Sequence, residues 1–226
     1  MLIIFDLDDT LINTSASLVP KKLHDALTKM FDSGLHLSSN VEESFQQLLT
    51  INNNSTSGRE TIQLFCDNLN QSEFAKVGIE EYYQNIDARK VKITKIKYCQ
   101  ELLDQLEEDG HTLALVSHGI KEIQLQKIDQ AMIDPNQFKK IYITDKNNKG
   151  LYYQKLLLQL NFTASNTVVI GDNLQRDILP AKKLGVSTIH FKSGRAKNTK
   201  YSIDNKPSFF INSLNEVFAI VDKLSS

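Results

Sequence analysis

From about Thr94 onward, short apolar runs alternate with amphipathic stretches, and this rhythm restricts the fold more than any other feature of the chain. A helix around Lys95–Asp109 stops at Gly110, and Thr112–Val116 (TLALV) reads as a buried strand running into Ser117. Ile120–Ala131 is expected to be helical, Phe138–Ile143 a strand and Leu151–Leu160 a helix. Thr167–Ile170 (TVVI) is a strand ending in Gly171-Asp172, Ile178–Leu184 a helix closed by Gly185, and Ser187–Phe191 the next strand. Phe209–Ile211 reads as a further short strand. Ser213-Leu214-Asn215-Glu216 then spells a capping box for a last helix carrying Leu214, Val217, Phe218, Val221 and Leu224. Strands separated by helical stretches of about 10–15 residues pair in parallel through right-handed crossovers. The predicted class is therefore α/β, with a Rossmann-like parallel sheet.

The first strand stands apart from the others. Leu2-Ile3-Ile4-Phe5-Asp6-Leu7 is an apolar run that turns acidic abruptly, and from about Ser15 to Asn85 the sequence reads as helix after helix. Leu23, Ala26, Leu27, Met30 and Phe31 fall on one helical face, with Pro20 near the helix start and Gly34 as its stop. Val41, Phe45, Leu48 and Leu49 repeat the pattern behind Ser39-Asn40, and Ile62, Phe65, Cys66 and Leu69 form a third stripe. Ser72 opens a fourth stretch reaching toward Tyr82–Ile86. The polar segment Asn52–Gly58 separates the second stripe from the third. The expected organisation is a core of residues 1–14 and 90–226, with residues 15–89 inserted after the first strand as a helical cap or lid.

Charge and composition remove whole classes of function. There are 26 Lys+Arg against 27 Asp+Glu, a net charge of −1, which leaves no electrostatic footprint for nucleic acid or an anionic membrane. No apolar run approaches the roughly 20 residues that cross a bilayer, and Asp6, Asp8 and Asp9 interrupt the N-terminus before a signal peptide could form. The two cysteines, Cys66 and Cys99, fit reduced thiols in a cytoplasmic protein.

In open parallel sheets, ligands bind beyond the carboxyl ends of the strands. The first strand delivers Asp6, Asp8 and Thr10 there, and TLALV delivers Ser117 and His118. The loop after Phe138–Ile143 delivers Lys146 and Lys149, and TVVI delivers Asp172 with Asp177 five residues on. No cluster of basic side chains is expected beside these acids. Two like charges 4 Å apart repel by about 4 kcal/mol at an effective dielectric of 20, so such a group calls for a cation. Oxygen donors without His or Cys select Mg²⁺ over zinc or copper. Carboxylates, a hydroxyl, a lysine and Mg²⁺ together suit a phosphoryl group, one acid acting on phosphorus and another on the leaving oxygen.

Phe5-Asp6-Leu7-Asp8-Asp9-Thr10-Leu11, then Val116-Ser117, a lysine after the next strand, and Gly171-Asp172 with Asp177 resemble the haloacid dehalogenase (HAD) superfamily, in its phosphatase branch with a helical C1-type cap. The resemblance spans roughly residues 1–14 and 95–192. It implies that Asp6 is the nucleophile forming an aspartyl-phosphate and Asp8 the general acid/base. It also implies that Ser117 binds the phosphoryl group, with Thr10 and His118 beside it, and that a lysine neutralises charge. Lys149, directly before the predicted helix, is favoured over Lys146. Mg²⁺ would be held by Asp6, the Asp8 backbone carbonyl and Asp172, with Asp177 behind them. His118 stands where Asn is frequent in the family, and Asp9 where Gly is frequent.

The resulting expectation is a Mg²⁺-dependent phosphatase of a small phosphorylated metabolite. A phosphomutase would use the same residues, and a non-catalytic phosphoacceptor or binding module would keep the site without turnover. A dehalogenase would leave Asp8 and the metal without a role.

Overall fold

The computed structural model describes residues 1–84, 91–146 and 148–225. The chain divides into two compact units, Met1–Thr14 with Ile93–Ser226, and Ser15–Lys92. The boundary expected between residues 89 and 90, and the end of the fourth helix at Ile86, lie outside the described residues.

Strand β1 (Leu2–Phe5) is buried along its whole length. It is followed by α1 (Thr14–Asp32), α2 (Val41–Asn52), α3 (Gly58–Asn68) and α4 (Ala75–Gln84). Within the helical unit, Leu23, Ala26, Leu27, Met30, Leu48, Ile62, Phe65 and Cys66 form one apolar core. Two expectations about α1 fail. Pro20 lies inside the helix rather than at its start, so α1 forms without one internal hydrogen bond. Phe31 is half exposed, because the inward face ends at Met30. Asn40 and Ser57 cap α2 and α3 by accepting hydrogen bonds from the backbone N–H of Glu43 and Glu60.

The other unit continues with α5 (Cys99–Glu108), β2 (Thr112–His118), α6 (Lys121–Gln130), β3 (Phe138–Thr144) and α7 (Lys149–Leu160). After these come β4 (Thr167–Gly171), α8 (Leu179–Lys183), β5 (Ser187–Phe191), β6 (Phe209–Ile211) and α9 (Val217–Ser225). The six strands form one parallel sheet in the order β3-β2-β1-β4-β5-β6. Helices packed on the sheet explain why β1, β2 and β4 read as unbroken apolar runs. The capping box at Ser213–Glu216 makes both of its hydrogen bonds, around a single 3₁₀ turn that leads into α9.

Three helix boundaries differ from the sequence reading. α5 begins at Cys99 rather than Lys95, because Tyr98 has φ +68°, outside the helical region. Lys95 instead pairs antiparallel with Ile12. α7 begins two residues early, so Lys149 is its first residue and not the one before it. The helix expected over Ile178–Leu184 starts as a π-type turn, Leu174–Ile178, before α8.

Because β1 lies between β2 and β4, with Phe5 opposite both Leu115 and Ile170, three carboxyl ends stand side by side. From β1 the chain order runs outward in both directions. This is the switch point at which a parallel sheet opens a crevice.

Candidate active site

Asp6 leaves β1 at this switch point, its backbone N–H held by the Ile170 carbonyl at 2.9 Å. Lys149 reaches it from the first turn of α7. The ammonium lies 2.6 Å from Asp6 Oδ1 and 2.6 Å from Asp177 Oδ1, and all three residues are buried. The second Asp177 oxygen accepts the Asn173 N–H at 2.9 Å, so both of its oxygens are engaged. The π-type turn carries Asp177 to this position, and Gly171 leaves room for it: a Cβ there would lie 2.5 Å from Asp177 Oδ2.

Burial, reinforced by the Asp177 and Asp8 charges, outweighs the Lys149 ammonium and pushes Asp6 up to about 7. Asp172 is held well above the usual carboxylate range, first by desolvation and then by Asp177, Asp6 and Asp9. Lys149 is desolvated too, yet its two carboxylates keep it firmly charged, with its pKa above the usual value.

Carboxylate oxygens of Asp6, Asp172 and Asp177 all lie within 4.8 Å of one another. Among the described residues, no side chain donates a hydrogen bond to the Asp172 carboxylate, so Lys149 alone does not neutralise the group. All-oxygen donors with surplus negative charge fit a hard divalent cation.

Asp8 sits differently. Its Oδ1 accepts hydrogen bonds from Lys127 Nζ at 2.7 Å and from the Thr14 hydroxyl, and its Oδ2 accepts one from Gln124 Nε2 at 2.7 Å. Burial alone would raise Asp8, but the Lys127 charge and these hydrogen bonds hold it below the usual carboxylate range. The sequence reading expected one lysine here and no cluster of basic side chains; a second ammonium, Lys127, faces Asp8 beside Lys149 on Asp6 and Asp177. Lys127 and Gln124 went unread in the sequence, although a signal existed. With Ile128 and the C-cap residue Ala131 they fall at i, i+3, i+4 and i+7 along α6, the face that a helix buries.

Ser117, fully buried at the end of β2, accepts from Gln124 at 2.6 Å, which leaves its own hydroxyl hydrogen free to point elsewhere. His118 Nδ1 donates to the Thr144 carbonyl at 2.9 Å, leaving Nε2 as an acceptor. Thr10 is buried, and its hydroxyl has no hydrogen-bond partner among the described residues. Lys146 is exposed, in contrast to Lys149. His190, read from the sequence as structural, stands behind Asp172. Its Nε2 donates to the Asp172 carbonyl at 2.7 Å, and its Nδ1 accepts from Tyr201 Oη at 2.9 Å. No described helix is long and apolar enough to cross a membrane.

The chain is similar to several known proteins. A glyceraldehyde 3-phosphate phosphatase from Methanocaldococcus jannaschii is 26% identical over 231 residues, covering 98% of this chain and 97% of the relative. A protein of the same name from Pyrococcus abyssi is 25% identical over 201 residues, covering 85% and 82%. A HAD-hydrolase from Bacillus subtilis, solved bound to magnesium, shares the fold with a TM-score of 0.64 at 19% identity, covering 98% of each chain. The sequence profile of the haloacid dehalogenase-like hydrolases matches residues 3–191, from the first residues of β1 to the end of β5. The chain belongs to the haloacid dehalogenase-like hydrolases.

Proposed function

We propose that this chain is a Mg²⁺-dependent phosphatase that hydrolyses a small phosphorylated metabolite through an aspartyl-phosphate on Asp6. The observation that carries the reading is the pairing of Asp6 with buried Lys149 at a strand end, two residues before a second carboxylate with its own set of donors. One ion held by Asp6, the Asp8 backbone carbonyl and Asp172 would offset the charge of the phosphoryl oxygens. Asp177, with both oxygens engaged by Lys149 and Asn173, serves to orient the lysine.

In the first half-reaction an Asp6 oxygen attacks phosphorus and the bond to the leaving oxygen breaks. Ser117 donates to a phosphoryl oxygen, Lys149 balances its charge, and the Thr10 hydroxyl and His118 line the same strand ends. Asp8 stands ionised in the ligand-free chain, so the proton it passes to the leaving oxygen enters with the substrate's phosphate monoanion. In the second half-reaction Asp8 takes a proton from water as the water oxygen bonds to phosphorus. The bond to Asp6 breaks, freeing its carboxylate, and Asp8 passes the proton to the departing phosphate, so both carboxylates are restored. The helical unit, residues 15–89 in the sequence reading, is proposed as the cap that the family inserts after the first strand. The nature of the leaving group is where relatives help: glyceraldehyde 3-phosphate heads the substrates to test, since several relatives carry that activity in their names.

Free phosphate released from a panel of phosphorylated metabolites, with Mg²⁺ and with chelator, tests the reading. Release should require the metal and vanish in Asp6→Asn. Full activity in that variant would remove Asp6 as the nucleophile, and transfer to an acceptor hydroxyl in place of water would make the protein a mutase.

A further inference from the structure

We infer that Gln124 and Lys127, on the inward face of α6, are positioning residues that hold Asp8 in the orientation needed to hydrolyse the aspartyl-phosphate. This inference rests on the function proposed above and adds to it the part of the fold that aims the acid/base.

Asp8 lies beyond the end of β1, where an isolated bridge with Ile12 holds its backbone but not its side chain. Its direction is set by three donors, Thr14 and Lys127 on one oxygen and Gln124 on the other. Gln124 has a second task. The same amide nitrogen lies 2.6 Å from Ser117 Oγ, so one side chain spans the phosphoryl-binding hydroxyl and the acid/base carboxylate. Gln124 is 1% exposed and Lys127 7%. A buried ammonium and a buried amide are costly unless paired, and both are aimed at the same carboxylate. The backbone makes room for this contact: a Cβ on Gly119 would lie 3.1–3.2 Å from the Gln124 side chain. The outward face of the same helix, by contrast, leaves Leu125 exposed. Gln124 and Lys127 thus share the buried face with Ile128 and Ala131 while a leucine stands in solvent, a placement for two polar groups that their pairing with Asp8 accounts for.

The two half-reactions separate this role from general support of the fold. p-Nitrophenolate leaves without needing a proton, so p-nitrophenyl phosphate phosphorylates Asp6 whether or not Asp8 is well aimed. Hydrolysis of the aspartyl-phosphate still needs Asp8 to take the proton of water. Rapid mixing of Lys127→Met and Gln124→Met with p-nitrophenyl phosphate and Mg²⁺ should show a burst approaching one p-nitrophenolate per chain. The steady state that follows should be about 100-fold slower than wild type, the size of a general-base contribution. Lys127→Arg should recover a good part of the steady-state rate, and Asp6→Asn should give no burst. If Lys127→Met fails to fold, Gln124→Met and the Arg variant carry the same comparison. Burst and steady state lowered together, or wild-type kinetics in the variants, would overturn the inference. A wild-type chain that forms no phosphoenzyme and releases no phosphate would instead overturn the proposed function beneath it.

Discussion

Lys149 shows how much can depend on one side chain in a low-dielectric site. Its ammonium joins two carboxylates that would otherwise repel each other, and the geometry leaves little slack, with 2.6 Å to each. Gly171 makes that geometry possible, since an added Cβ would meet Asp177 at 2.5–2.6 Å, on the carboxylate and on its Cβ alike. Gly171→Ala must therefore move Asp177 and release Lys149 and the Asn173 N–H. We expect a loss of roughly 100-fold in phosphate release, the scale set by misplacing a reacting group by about 1 Å. Destabilisation of about 1–3 kcal/mol should accompany it. Steady-state kinetics and urea unfolding of the same preparation check both, and an alanine variant with wild-type kcat would show that Asp177 is not held where its partners place it.

At the level of elements, strand ends and the helices that follow them bring the candidate site together. β1, β2 and β4 present Asp6, Ser117 and Asp172, while α6 and α7 bring Gln124, Lys127 and Lys149 back to them. Positive φ at Tyr98 sets where α5 can begin, and capping by Asn40 and Ser57 does the same for α2 and α3. The start of α3 is also pinned from outside, because a Cβ on Gly58 would lie 2.4–2.5 Å from Tyr82 ring carbons. Gly58→Ala should cost about 1–3 kcal/mol through that overlap, despite the higher helix propensity of alanine. A thermal midpoint at or above that of wild type by circular dichroism would mean that α3 and α4 part easily to admit the methyl group.

Across the whole molecule, burial moves several titrating groups in one direction. Cys66 is pushed up to about 11 and Cys99 to about 12, chiefly by desolvation, and the Tyr153 hydroxyl is raised well above its usual range for the same reason. An exposed thiol titrates near about 8.5, so as pH rises beyond that value the unfolded chain releases protons that the folded chain keeps. Stability must then fall with rising pH. The unfolding midpoint should drop steadily between about pH 8.5 and 10.5, and the Cys66→Ala/Cys99→Ala double variant should show a shallower slope. A flat profile in wild type would mean that the thiols are not shielded in solution.

Much of this protein can be read from its sequence, wherever the relevant physics is local. Apolar runs buried on both faces identify the strands, helical periodicity identifies most helices, and Asp6, Asp8, Ser117 and Asp172 stand out because a parallel sheet must place its strand ends together. Periodicity is blind to partners distant in sequence. Lys127 meets Asp8 across 119 positions and Lys149 meets Asp6 across 143; helical spacing puts Lys127 on the inward face of α6 but names a partner for neither. That Lys149 and not Lys146 lies against Asp6, that Lys127 lies against Asp8, and that a π-type turn carries Asp177 to Lys149 are visible only in three dimensions. There, burial penalises every unpaired charge and leaves each of these groups one place to go.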